Sequence, residues 1–484
     1  MRFVVLPFLA ACQVTDAGFI CPDGAAFCAT MDVLGDDRAP ATGVDVSDVW
    51  LYQGTEIPLV NEGVSVTPDL PVVAGRDALF RVAVTPLDGF QAHPLTARLW
   101  LYEDGDLVGA VQTDFTPVLA DPTNLTTTAN LRVGGGALPA GDLGWRVEIV
   151  ESSADAAGSG AAGVDTWPPE GVETLTPADA GGPMRIRLVP IHFTGDEAGV
   201  PDVSPEQLEL IRKRMWSLYP VDDVVLSVDE PWETSVDMNS FDGWTTLLGE
   251  VTGLRTIRGV PGDEWIYGLL APTGYGGGIA GLSNLGSPPP DGTDMFPRAS
   301  IGLGYSGLGT PDTMGHEVGH ATGRLHSPGC GAGGPDPAYP YEDGTLGRRG
   351  FDLVNGALIE DKLTYDHMTY CGPTWVSDYN YDWYFQKLQA IHNAYAAPVT
   401  ARSASYRTLW VHPSGRVTVG ERAQTPGVGA PTSVALVDAS GVVTRVDGRF
   451  SPFDHLPGGV VTFAEPGADV VAFEINGIRV PRSR

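Results

Sequence analysis

The run "MGHEVGHATGRLHSPGC", positions 314 to 330, gathers three histidines, a glutamate and a cysteine. His316 and His320 stand four apart, so a helix through them projects both imidazoles from one face. That spacing suits two nitrogens on one zinc ion, with Glu317 beside them able to hold and deprotonate an attacking water. Gly323 follows His320 by three residues, where the helix must stop and turn. Glycine takes the left-handed conformation of such a turn at little cost. His326 is then delivered by the returning chain as a third nitrogen. Three protein ligands leave a fourth position for water, the arrangement of a catalytic zinc and not of a structural one. The expected cofactor is one catalytic Zn2+; nothing in the sequence marks a calcium site.

These residues need a frame, and residues 184 to 397 supply one. "MRIRLVPIHF" reads as a buried strand. "SPEQLELIRKRMWSLY" reads as a helix that Ser204 caps, with Pro205 at its first turn and Gln207 three residues past the cap. Leu208, Ile211, Met215 and Leu218 share one face of it. "VDDVVLSV" predicts a second strand, "FDGWTTLLGEVTGLRTI" a second helix, and "EWIYGLLAP" and "ASIGLGYS" further strands. Between the last two lies "TGYGGGIAGLSNLGSPPPDGTD", too dense in glycine for a helix. Its residues Gly276, Gly277, Gly278, Ile279, Ala280 and Gly281, with Leu282 after them, are assigned to an edge strand. Bare backbone there lets a substrate chain pair. The histidine helix follows, and the aromatic helix "SDYNYDWYFQKLQAIHNAY" closes the unit. Alternating strands and helices predict an α/β domain with a twisted mixed sheet and an active-site helix.

HExxHxxGxxH is the metzincin signature, and roughly residues 184 to 395 resemble that family of zinc metalloproteases. In the family a methionine further on forms a tight turn beneath the metal; Met368, in "YDHMTYC", matches it. The pattern Met-x-Tyr resembles the astacin and serralysin type, which makes Tyr370 the candidate oxyanion stabiliser. His367 is read as structural. Ser327, after the third histidine, matches the matrixin pattern instead. "YGGGIAGL" and "CGPTWVSDYNY" look similar to secreted bacterial metzincins of the mucinase (StcE-like) kind. The resemblance implies a zinc endopeptidase with Glu317 as general base, acting on extracellular proteins or glycoproteins. Some metzincins are silenced by a pro-segment cysteine. No thiol is left over for that purpose under the pairing given below, so the N-terminal module is read as a permanent accessory domain.

On either side the pattern is all β. Residues 45–183 alternate apolar and polar residues in short runs ("DVWLYQG", "ALFRVAVTPL", "TARLWLYEDG", "WRVEIVES") and include the linker "SSADAAGSGAAG", which reads as a β-sandwich. Residues 398–484 return to short alternating strands and read as a small β-module. The start, "MRFVVLPFLAACQV", has the layout of a secretory signal, and "LAAC" resembles the bacterial lipobox. Residues 1–12 are thus expected to be a lipoprotein signal ending in a lipidated Cys12, with 13–44 as a tether. Five cysteines is an odd number; with Cys12 lipidated, four remain. The expected pairs are Cys21–Cys28 and Cys330–Cys371, with two other pairings open. The second bond would close a loop of about 40 residues, worth about 4 kcal/mol in the chain-entropy model, and would tie the ligand loop to a pocket wall at Gly372 to Tyr379.

The formal net charge of −31 argues against nucleic acid or anionic membrane as a partner, and would repel a sialylated mucin. The expectation is an exported bacterial lipoprotein of the outer membrane or cell surface, or alternatively a secreted protein. It is read as a monomer, touching the membrane only through its lipid and cutting an extended polypeptide or glycoprotein. The competing reading is a non-catalytic surface lipoprotein that binds glycan or protein through its β-modules.

Overall fold

The computed structural model describes residues 38–153, 160–194, 199–396, 405–423 and 425–482. Cys12, Cys21 and Cys28 lie outside them, as do the signal and residues 13–37 of the tether; Ala41 and Val44, expected in the tether, belong to the core of the first unit. Strands hold 38 % of the chain and helices 16 %, so the protein is mixed α/β with sheet dominant. It divides into two compact units: Met1–Ala180 with Arg348–Asp361, and Gly181–Gly347 with Lys362–Arg484.

In the first unit β1 (Val44–Tyr52), β2 (Glu56–Asn61), β3 (Val64–Ser65), β4 (Ala78–Pro86) and β7 (Ala129–Val133) form one antiparallel sheet, ordered β3-β2-β1-β4-β7. The second sheet takes β5 (Leu95–Glu103), β6 (Asp106–Phe115), β8 (Leu143–Glu151) and β10 (Glu173–Leu175) in the order β10-β8-β5-β6, with β9 (Thr166–Trp167) also on β8. Val49, Leu51, Phe80 and Val82 of one sheet share a single apolar core with Leu99, Leu101, Trp145 and Val147 of the other. Alternation of period two turns these residues toward the shared core, and the opposite faces of β4 and β5 are covered as well, with Leu79, Arg81, Thr96 and Arg98 buried there.

The second unit is built on β11 (Met184–Phe193), α1 (Pro205–Leu218), β12 (Val224–Val228), β13 (Trp232–Thr234), α2 (Phe241–Ile257), β14 (Glu264–Leu270), β15 (Gly281–Ser283), β16 (Ala299–Leu303) and α3 (Gly309–Ala321). The sheet runs β12-β11-β14-β16-β15, with β13 also on β11. The strands are parallel except β15, which lies antiparallel on β16 at the edge. Every residue of β14 is buried, as a parallel strand covered on both faces requires. Ser204 caps α1 by accepting from Gln207 N, and Ile211, Met215 and Leu218 form its buried face. Leu208, assigned to that face from spacing, is half-buried.

After α3 the chain forms a hairpin, β17 (Gly350–Asp352) with β18 (Ala357–Ile359), that belongs to the first unit. There Phe351 is buried with Tyr52 and Leu79, and Arg348 pairs with Asp69 at 2.5 Å. The chain then re-enters the second unit through β19 (Tyr365–Asp366) and β20 (Thr374–Trp375), a parallel pair, and α4 (Asp378–Tyr395).

Seven strands complete the second unit: β21 (Tyr406–Val411), β22 (Val417–Ala423), β23 (Ala430–Asp438), β24 (Val443–Pro452), β25 (Gly459–Ala464), β26 (Val470–Ile475) and β27 (Ile478–Pro481). They form one antiparallel sheet, ordered β22-β21-β25-β24-β23-β26-β27, that nearly closes into a barrel. This module is fastened to the α/β part by apolar burial. Trp410, Phe453, Leu456 and Val460 join the cluster that contains Trp244, Leu248 and Val251 of α2 and Ile266 and Ile301 of the sheet.

A buried histidine marks the same junction. His412 is 3 % exposed and makes hydrogen bonds to Thr245 Oγ1 of α2 at 2.7 Å and to Thr418 Oγ1 at 2.8 Å. Burial and the nearby Arg416 push its pKa down to about 4, against the pull of Asp242. A depressed folded-state pKa means that the unfolded chain binds the extra proton. The contribution is therefore full above about pH 6.5 and is lost as pH falls toward about 4. Discounted for partial hydration, the loss is about 2 kcal/mol. Urea denaturation at pH 7 and pH 4.5 should show His412→Gln losing less stability on acidification than the parent by about that amount.

Candidate metal centre

α3 carries "GTPDTMGHEVGHA" and sets His316 and His320 one turn apart. The helix ends at Gly323, whose φ of +98° is the left-handed turn expected of it. A Cβ there would also lie 2.6 Å from Ser287 O, so glycine is required twice over. Arg324, 1 % exposed, then fixes the returning chain: it pairs with Asp336 at 2.8 Å and lies between the rings of Tyr379 and Trp383 of α4, at 4.6 and 4.4 Å. His326 follows with its position set.

The three histidines are oriented alike. His316 Nδ1 donates to His367 O at 2.8 Å, His320 Nδ1 to Arg324 O at 2.7 Å, and His326 Nδ1 to Gly333 O at 2.5 Å. A neutral imidazole carries one N–H, so each Nε2 presents a lone pair. The Nε2 atoms of His316 and His320 are 3.1 Å apart, and those of His320 and His326 3.2 Å. Burial drives all three rings toward the neutral form. Lone pairs facing one another at this range repel unless a cation lies between them. Two nitrogens bound to one zinc at 2.0–2.1 Å and a tetrahedral angle stand about 3.3 Å apart. The donor set and its spacing therefore fit a metal of this kind.

Met368 is fully buried beneath the helix, and its seat depends on Gly319, where a Cβ would come within 2.3 Å of the Met368 sulfur. The turn is organised by the buried carboxylate of Asp366. It accepts from Met368 N at 2.8 Å, Ser327 Oγ at 3.0 Å, Asn380 Nδ2 at 2.7 Å and Ser377 N at 2.9 Å. Ser327 N in turn donates to Met368 O at 2.9 Å. Cys330 and Cys371 are disulfide-bonded, joining the chain just past His326 to the chain just past the Met368 turn.

Glu317 is 2 % exposed and points across the cleft at β15. A Cβ on Gly281 would come within 2.5 Å of its Oε1, so the glycine makes room for the carboxylate. The strand is shorter than the sequence implies. Only Gly281–Ser283 pair with β16, while Gly276 to Ala280 form a loop. Gly278, Ile279, Ala280 and Gly281 line the cleft, about 470 Å³ in volume, and Gly276 and Gly277 do not. Of the segment Gly372 to Tyr379 only Thr374 lines it: Trp375 is buried beside Arg214, and Tyr379 holds Arg324. Tyr370, 45 % exposed, stands at the cleft with its ring 4.9 Å from that of His326.

Two residues here were not marked by the sequence. Asp454 and His455, from the connection between β24 and β25, lie against the histidines. His455 Nε2 is 3.2 Å from Glu317 Oε1, and its Nδ1 hydrogen-bonds the Tyr370 hydroxyl. Asp454 Oδ2 is 3.4 Å from His320 Nε2. The ligand atoms of His316, His320, His326 and His455 lie within 4.8 Å of one another. Burial and the Asp454 carboxylate raise the pKa of Glu317, against the pull of His455. Burial alone would lower that of His455, but the charges of Asp454 and Glu317 outweigh it and raise it to about 9. Compared with known proteins, the chain matches no family model and no curated sequence.

Proposed function

We propose that the protein is a zinc-dependent endopeptidase of the metzincin kind, cutting extended polypeptide. The observation that carries this reading is the convergence of three Nε2 lone pairs whose orientation is fixed from behind by backbone carbonyls. His316, His320 and His326 would hold the metal. Zinc bound there supplies a Lewis acid for the scissile carbonyl and lowers the pKa of a bound water toward about 7.

The chain's own groups do the rest. Glu317, buried against Gly281, takes the proton from the attacking water and passes it to the leaving amine. Tyr370 donates its hydroxyl proton toward the developing oxyanion. Substrate lies along β15, whose edge position leaves main-chain groups for antiparallel pairing. A protein carrying the Cys330–Cys371 bond belongs in an oxidising compartment, in keeping with export.

The test is metal content by elemental analysis together with hydrolysis of an unfolded protein such as casein. One zinc per chain and measurable cleavage are expected. His326→Ala should weaken zinc by at least about 10²-fold and remove cleavage. A chain that takes up no metal after reconstitution would sink the reading.

A further inference from the structure

Residues 453–458 enter the cleft as a loop of the C-terminal sheet. Phe453 and Leu456, 6 % and 7 % exposed, fasten it in the apolar cluster beside α2. Between these two anchors stand Asp454 and His455. The Asp454 side chain is 4 % exposed, and its Oδ2 lies 3.4 Å from His320 Nε2 and 3.3 Å from His455 Nε2, with no well-formed hydrogen bond to either. Since His320 Nδ1 carries that ring's proton, the two atoms present lone pairs to each other. A buried carboxylate oxygen facing an imidazole lone pair is an arrangement that a shared cation relieves, and the neighbouring His455 ring relieves only part of it.

His455 completes the blockade. Its two ring nitrogens meet Glu317 Oε1 and the Tyr370 hydroxyl, the two groups that must face water and substrate for turnover. His455 thus engages one carboxylate oxygen of Glu317 and the Tyr370 hydroxyl together, while Glu317 Oε2 accepts no hydrogen bond.

We propose that the C-terminal module holds the enzyme latent, with Asp454 as a fourth protein ligand in the position that water needs and His455 masking Glu317 and Tyr370. The proposal rests on the zinc-protease reading of the same site. Activation is withdrawal of the 453–458 loop, which requires Phe453 and Leu456 to leave their seats in the cluster. A partner or cut that loosens the module from α2 releases the site.

The full chain is loaded with Co2+ and titrated with acetohydroxamate, a chelator that needs an open metal position. It is compared with Asp454→Ala/His455→Ala and with the milder single variants Asp454→Asn and His455→Gln. The visible cobalt bands report loading and chelator binding, and casein hydrolysis by the zinc forms reports release. The parent should take up one cobalt, bind hydroxamate about 10-fold or more weakly than the double variant, and cleave casein more slowly by a similar factor. The single variants should fall between.

Equal hydroxamate affinity in all four loaded chains overturns latency and leaves the metal reading standing. A double variant that binds hydroxamate more tightly yet cleaves more slowly also overturns it, and makes these residues participants in turnover. Loaded chains that never cleave overturn it in favour of a closed structural site. Absence of metal from every chain, with circular dichroism confirming the fold, sinks the zinc reading and the latency with it.

Discussion

Glu317→Gln is expected to leave the metal site loaded and to lower proteolysis by about 10³-fold. Glutamine matches the volume of glutamate, so it fills the slot that Gly281 opens without strain. It keeps an oxygen for His455 but cannot accept the proton of the attacking water. None of the three histidines depends on Glu317 for orientation, since each donates to a backbone carbonyl. The measurement is zinc stoichiometry beside casein hydrolysis, made in the full chain and again in the Asp454→Ala/His455→Ala background, where the rate to be lost is larger. A rate within a factor of about three of the parent, with zinc bound, would remove Glu317 from the role of base.

Asp366→Ala is the substitution expected to cost most in stability, about 3–5 kcal/mol. The carboxylate is buried and accepts four hydrogen bonds, from Met368 N, Ser327 Oγ, Asn380 Nδ2 and Ser377 N. Alanine leaves these donors unsatisfied in a site that water reaches poorly. Thermal denaturation should show the melting temperature falling by about 10 °C. Zinc should bind about 10- to 100-fold more weakly, because the same turn carries the His367 carbonyl that orients His316. Asp366→Asn keeps one acceptor oxygen and should recover part of both losses. A melting temperature within about 2 °C of the parent would show that the turn does not depend on this carboxylate.

The three histidines, Glu317 and Gly323 were legible because they sit on one helix and the turn after it, where spacing alone sets geometry. The helices α1, α2 and α4 were legible for a similar reason: capping serines and continuous periodicity mark them locally. Counting left the Cys330–Cys371 pair as the expected one of three pairings, and the structure has that bond. What the sequence hid was long-range. Asp454 and His455 meet the site across more than a hundred residues, and "FDHLPG" has no motif of its own. Asp366 reads as one acidic residue among 60. Gly319 and Gly281 look like ordinary glycines until the sulfur of Met368 and the carboxylate of Glu317 are seen beside them. The strands β24 and β27 also escaped, because most of their residues are exposed or half-buried and carry no apolar alternation.

The hairpin of β17 and β18 has a consequence for how the molecule is made. The first unit is not contiguous: its last piece, Arg348–Asp361, is separated from Ala180 by the whole of Gly181–Gly347. During synthesis, the β-sandwich leaves the ribosome without Phe351 in its place beside Tyr52 and Leu79. That piece emerges only after α3 and all three histidines have been translated, and before Met368 has. The last step of the first unit is thus interleaved with the assembly of the histidine cluster and the turn beneath it. For the same reason no single cut divides the chain into two whole units, and a truncation at residue 181 would strand an apolar hairpin on one fragment and an unfilled seat on the other.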